Sequence, residues 1–235
     1  MPITKFIKNL FSSKKPTHPA IVANNLISVA ADKDLPVRDC EFVVFDTELT
    51  GLNQRKDEII AIGAVRIRNL QICCGDTFYA LIKPRGKLHT PSTLIHRITP
   101  RELLGAESIV DVLPRFIDFC GGAFLVGHHV PLDLNFVNRA CQNYLGGIIH
   151  SSSLDTIRLA MAYNNSLNGP YSKHHEKPNS YRLSSLSEEF HLPRFGEHNA
   201  LQDALQTAYL FIYLIHKMKQ EGAGTMNEYL KIGGK

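Results

Sequence analysis

A chain of 235 residues, 44% hydrophobic and 20% charged, is long enough for one domain with a substantial core, and its composition excludes wholesale disorder. Its formal charge of +4 suits a polyanionic partner without requiring one, because net charge acts on encounter and nonspecific affinity rather than on fold. The longest apolar run, 208–215, falls far short of the roughly 20 residues that span a bilayer, so no transmembrane segment is expected and the protein is read as soluble and cytoplasmic.

Residues 1–38 differ from the rest, carrying Lys5, Lys8, Lys14, Lys15 and Lys33 but no acid before Asp32. Ile3, Phe6, Ile7, Leu10 and Phe11 fall at helical spacing and predict a short basic amphipathic helix. Such a helix suits an anionic membrane surface or a docking partner such as a polymerase; packing on its own domain is the alternative. Residues 12–18 break the pattern as a linker does. The division expected is an extension and linker at 1–38, a domain at 39–220 and a tail at 221–235.

From residue 40 the rhythm changes. The apolar run 42–45 predicts a central buried strand, and 58–68 with 71–82 predict two more, joined by a tight turn around Asn69. A helix follows at 108–120, closed by Gly121-Gly122, then a buried strand at 123–126 and a helix at 131–144 with proline near its start. A fifth strand is expected to begin at 148–150, with Asp155 capping a helix towards Ala162. A long polar loop is expected at 164–180, and helices at 183–190 and 201–217. The order predicts an α/β fold: a mixed five-stranded sheet with helices on both faces. The cysteines (Cys40, Cys73, Cys74, Cys120 and Cys141) are odd in number and lack framework or zinc-finger spacing, which fits core thiols in a reducing compartment.

Three element ends carry acids. Asp46 and Glu48 close the first strand, and a spacing of two puts both carboxylates on one face, where their repulsion calls for a compensating cation. Asp133 lies in the first turn of a helix, with Phe136 and Val137 marking its side as the inward one. His198 precedes the last helix and Asp203 lies within its first turns, so the two reach one cleft from different elements. Read singly, each has a plainer role: a solvated turn, an acid favoured by the helix dipole, a helix cap.

Taken in order, Asp-x-Glu, Asp and His-x4-Asp resemble the DEDDh group of 3′–5′ exonucleases in the RNase H-like superfamily, most of all its epsilon-type proofreading branch from bacterial DNA polymerase III. The resemblance covers about residues 40–217 and extends to the flanks: "FDTELTG", "LVGHHVPLDLNFV" and "HNALQDA" match the three motifs, with "LIHRITPREL" and "SLDTIRLA" between them. His129 stands where the family often has Asn and Leu132 where it often has Phe, departures that bear on substrate fit. The resemblance implies two divalent cations, Mg²⁺ or Mn²⁺, held by Asp46, Glu48, Asp133 and Asp203, with His198 as general base. It implies that Thr47, Leu49, Thr50 and Leu52 frame the terminal nucleotide of a nucleic-acid 3′ end, with His96 as a further contact. The reaction implied is hydrolysis, of DNA first, to nucleoside 5′-monophosphates. An RNA-trimming enzyme of the same fold, or an inert module that binds nucleic acid or polymerase, are the competing expectations. Three further features are read as surface: a basic loop at Lys83, Arg85 and Lys87 that faces phosphates or simply water, the cluster at 173–176, and Tyr163, Tyr171 and Tyr181 as base-stacking rings or ordinary packing.

Overall fold

The computed structural model describes residues 16–86, 96–167, 180–196, 198–219 and 224–234. The amphipathic helix expected at 3–11, together with Lys87, Tyr171 and the 173–176 cluster, lies outside the described residues. Five strands form one mixed sheet: β1 (Phe42–Leu49), β2 (Ile59–Arg68), β3 (Gln71–Leu81), β4 (Phe124–Gly127) and β5 (Ser153–Asp155), in the order β3-β2-β1-β4-β5. β1, β2 and β3 form an antiparallel meander, while β4 joins β1 and β5 joins β4 in parallel. The β2–β3 turn holds Asn69 and Leu70 at φ 52° and 56°; two successive positive φ angles suit the twist of a two-residue hairpin.

The helices are α1 (Pro19–Ala30), α2 (Pro100–Leu104), α3 (Ile109–Cys120), α4 (Val130–Leu145), α5 (Thr156–Leu167), α6 (Leu183–Glu189), α7 (Ala200–Lys219) and α8 (Met226–Gly233). Side chains alternate across β1. Val43 and Phe45 face a core closed by α1, α3 and α4, whereas Phe42 and Val44 face a second core closed by α5, α7 and α8. Phe42 meets Phe211 of α7 edge-on, ring centroids 4.9 Å apart. Full burial of each such side chain contributes about 1.5–3 kcal/mol. The sheet is thus covered on both faces, as the apolar runs of its inner strands require.

Four elements depart from expectation. The fifth strand is Ser153–Asp155, not the apolar stretch at 148–150. There the Ile149 N–H donates to Asn138 Oδ1 at 2.9 Å and the His150 N–H to Asn25 Oδ1 at 2.7 Å, so side chains take the bonds a ladder would need. α5 runs on to Leu167, through the start of the expected loop, with Asn164 buried on it. Segments expected to flank the domain also carry packed helices. α1 starts at Pro19 under a His18 cap and buries Ile21, while Asn25 donates to Ile148 O at 2.8 Å and Asn24 donates to Gly121 O. α8 opens with a Thr225/Glu228 capping box and buries Met226 and Tyr229 in the second core, the Tyr229 hydroxyl donating to Ile215 O at 3.2 Å. Among the described residues, no helix is long and apolar enough to cross a membrane.

Candidate active site

The row of β1 side chains that begins with Phe42 and Val44 continues, two residues at a time, to Asp46 and Glu48. It therefore turns from core to carboxylate under the N-terminal turn of α7, where Asp203 sits. Ligand oxygens of Asp46, Glu48 and Asp203 lie within 4.8 Å of one another. The close approach depends on β2: Gly63 pairs with Asp46, and a Cβ at Gly63 would stand 2.2 Å from the backbone of Ala200 and Leu201. α7 can start beside the acids because that position has no side chain. Asn199 caps it, its Oδ1 accepting from Gln202 N at 3.2 Å, and the Tyr79 hydroxyl of β3 lies near Asn199.

Asp133 arrives from the other face. It is buried in the first turn of α4, and its Oδ1 accepts from the Thr47 N–H at 3.1 Å and the Thr47 hydroxyl at 2.5 Å. Thr47 belongs to the row of Val43 and Phe45, so the two acid-bearing faces meet at the end of the sheet. α4 is aimed there by His129, which has the left-handed φ of 67° and donates its N–H to Asp155 Oδ1 at 3.0 Å. The same oxygen accepts from Ile157 N at 3.0 Å, the cap role expected of Asp155.

Burial and mutual repulsion dominate the electrostatics. Burial pushes Glu48 up to about 7, with Asp203 and Asp133 adding to the shift. Burial likewise lifts Asp133 to about 7, against the pull of its Thr47 hydrogen bonds. Asp46 is held well above the usual carboxylate range by burial first and then by Asp133, Asp203 and Glu48. A hard divalent cation relieves such a cluster, and carboxylate oxygens are the donors Mg²⁺ and Mn²⁺ prefer. The donor set therefore fits a divalent metal.

Asp46, Asp203 and His198 line one cleft of about 520 Å³. His198 is exposed, with a left-handed φ of 63°, in the loop before α7. Burial first, with His198 as the smaller cause, holds the His96 imidazole below its ordinary value, and His96 is buried rather than part of the cleft wall. Of the residues expected to frame a nucleotide, Thr47 is tied to Asp133, Leu49 is in the core and the Thr50 hydroxyl donates to Asp57 Oδ1 at 3.1 Å; Leu52 projects, 74% exposed. Tyr163 is buried edge-on to Phe190 and Tyr213, which removes it as a stacking platform. Tyr181 lines the cleft, with Arg182 and Arg194, which sequence reasoning passed over. His128 holds that wall: its Nε2–H donates to Tyr181 O at 2.9 Å and its Nδ1 hydrogen-bonds the Thr156 hydroxyl at 2.8 Å, and burial lowers its pKa. No local pattern marks Gly63, Tyr79 or the two arginines, since their roles arise from contacts distant in sequence.

Sheet order, covered faces and an acidic cleft at the strand ends define an RNase H-like α/β domain. The model of the exonuclease family matches residues 43–211, and the chain belongs to that family, as its three motifs implied. Curated relatives include the PolC-type DNA polymerase III of Caldanaerobacter subterraneus subsp. tengcongensis, 34% identical over 189 residues, and that of Thermotoga maritima, 35% identical over 194 residues. These alignments take in 80% and 83% of this chain but only 12% and 13% of the relatives, so the chain spans about an eighth of their length. Among solved structures, E. coli exonuclease I in complex with a dT13 oligonucleotide is similar at a TM-score of 0.63 and 16% identity, covering 77% of this chain and 42% of that one. Exonuclease X in complex with 5′ overhanging duplex DNA is similar at a TM-score of 0.59 and 23% identity, covering 81% and 98%. At these identities the two structures speak to the fold.

Proposed function

We propose that this chain removes nucleotides one at a time from the 3′ end of DNA, hydrolysing the last phosphodiester to release a nucleoside 5′-monophosphate. The observation that carries the reading is the convergence of Asp46, Glu48 and Asp203 within 4.8 Å, beside Asp133, on a cleft that His198 also lines. The four carboxylates would hold two Mg²⁺ or Mn²⁺ ions. When bound, such a pair supplies Lewis acidity to the scissile phosphate and stabilises both the attacking and the leaving oxygen. His198 takes the proton of the attacking water as the new P–O bond forms and the bond to the 3′ oxygen breaks. Its exposure at the cleft lets it reach solvent and return that proton. Thr47 orients Asp133, and the cap at Asn199 orients the turn that bears Asp203.

DNA is favoured over RNA by the relatives, which are DNA polymerases, and the exonuclease-family match spans the residues that carry the acids. The same likeness supports work beside a replicative polymerase, in the cytoplasm. Digestion of 5′-labelled single-stranded DNA and RNA with Mg²⁺, Mn²⁺ or EDTA, wild type beside Asp46→Ala, tests the reading. A metal-dependent ladder that shortens from the 3′ end on DNA and disappears in the variant is expected. A ladder on RNA alone would make it an RNA-trimming enzyme, and none on either would make it an inert binding module.

A further inference from the structure

A second cleft, of about 660 Å³, opens where α3 and α4 meet the ends of β2 and β3, and its charge is one-sided. Arg55, Lys56, Lys83, Arg85 and Arg139 line it against a single acid, Glu58. Glu58 is already engaged, its Oε2 accepting from the Arg85 and Gly86 backbone N–H groups at 2.9 Å each. Arg66 and Arg68, by contrast, each meet Glu41 and Asp76, and Arg115 meets Glu107. Among the described residues, none of the five in the cleft makes an ion pair. Two of them are pre-oriented instead, the Arg85 guanidinium over the Tyr144 ring at 4.8 Å and that of Arg139 over Phe136 at 5.0 Å. Like charges gathered on one wall repel one another until an anion sits between them.

The cleft stands at the carboxylate end of the sheet. Ile59 on its wall pairs with Leu49, the residue after Glu48. Arg139 lies on the helix of Asp133, six residues on and therefore about 9 Å along its axis. Its guanidinium donates to Gln54 O and Asp57 O, binding the loop that leaves β1 to α4 and joining the two sites rigidly. We infer that this cleft holds phosphates of the substrate strand a few nucleotides upstream of the 3′ end being removed. The inference rests on the nuclease reading and adds to it a site that tracks the backbone. Cationic grooves of this kind follow the sugar-phosphate chain without reading bases.

The test compares wild type with Lys83→Ala/Arg85→Ala and with Arg55→Ala/Lys56→Ala, all four residues being exposed. The readout is kcat/KM on a single strand of about 20 nucleotides, longer than the sites such grooves usually cover, divided by kcat/KM on thymidine 5′-monophosphate p-nitrophenyl ester. That ester is too small to span both sites. Each double variant is expected to lower the ratio about tenfold and to flatten the dependence of log Kd on log salt by about 1.4, the share of two phosphates on a single strand. An unchanged ratio and slope, or an equal loss on strand and ester, would overturn the inference. If wild type hydrolyses neither substrate the nuclease reading fails, and anisotropy of the labelled strand still decides the cleft: unaltered affinity and salt slope in both variants overturn it.

Discussion

Glu48→Gln separates what the acid cluster does for chemistry from what it does to the fold. The unfolded chain ionises Glu48 near 4.5, while burial beside Asp203 and Asp133 raises the folded value to about 7. A raised folded value means that the stabilising contribution is present below 4.5 and is lost as pH rises through about 7. Above that window the metal-free protein carries the whole difference, about 3 kcal/mol at 1.36 kcal/mol per pH unit. Glutamine keeps the shape and removes the charge, so in EDTA at pH 8 the variant should be more stable by about 3 kcal/mol, or roughly 6–12 °C in Tm for a chain of this size. At pH 4 the two proteins should unfold alike, and in excess Mn²⁺ at pH 8 the order should narrow or reverse as the wild type regains metal binding. Urea unfolding followed by circular dichroism at the two pH values measures this. Equal stability at pH 8 in EDTA, or a less stable variant, would refute the claim that Glu48 is held ionised at a cost.

Three other substitutions probe the frame. Gly63→Ala drives a methyl group into the backbone at Ala200 and Leu201, so activity should fall about 100-fold from displacement of Asp203, with a loss of about 1–3 kcal/mol in denaturant unfolding. Thr47→Val deletes the 2.5 Å hydroxyl bond to Asp133, so that carboxyl should climb further and the acid limb of the pH–rate profile should move to higher pH, whereas Thr47→Ser restores it. Asn25→Ala leaves Ile148 O and the His150 N–H without their buried partner and should cost about 1–3 kcal/mol in urea unfolding, which tests whether α1 is part of the domain.

The legible parts of the molecule were those that local pattern alone determines. The 42–45 run with Asp46 and Glu48 following at period two already implied an apolar row ending in paired acids, and β1 has that form. Asp133 was legible as an inward acid, but not its Thr47 partner, because 86 residues separate them in sequence. The fifth strand was misplaced because Ile148 and Ile149 are more apolar than Ser153 and Asp155, while the strand is chosen by pairing with β4. α1 falls in the stretch whose lysines and missing acids suggest an extension; what ties it to the domain is the amides of Asn24 and Asn25, which serve carbonyls distant in sequence. For α8 a signal was present and unused: Thr225 and Glu228 form the capping pattern that starts a helix. The basic cleft was visible only as one loop, since Arg55, Lys56 and Arg139 join Lys83 and Arg85 through the fold.

The most direct test of the central claim follows one bond. A single strand labelled in its 3′-terminal nucleotide is mixed with the protein in EDTA, and Mn²⁺ is then added in excess, with Asp203→Asn run in parallel. The label should appear as a free nucleoside 5′-monophosphate only after Mn²⁺ is added, and not with the variant. Label that stays in the strand, or that is released equally by Asp203→Asn, would contradict the account of a carboxylate-held metal site hydrolysing the terminal phosphodiester.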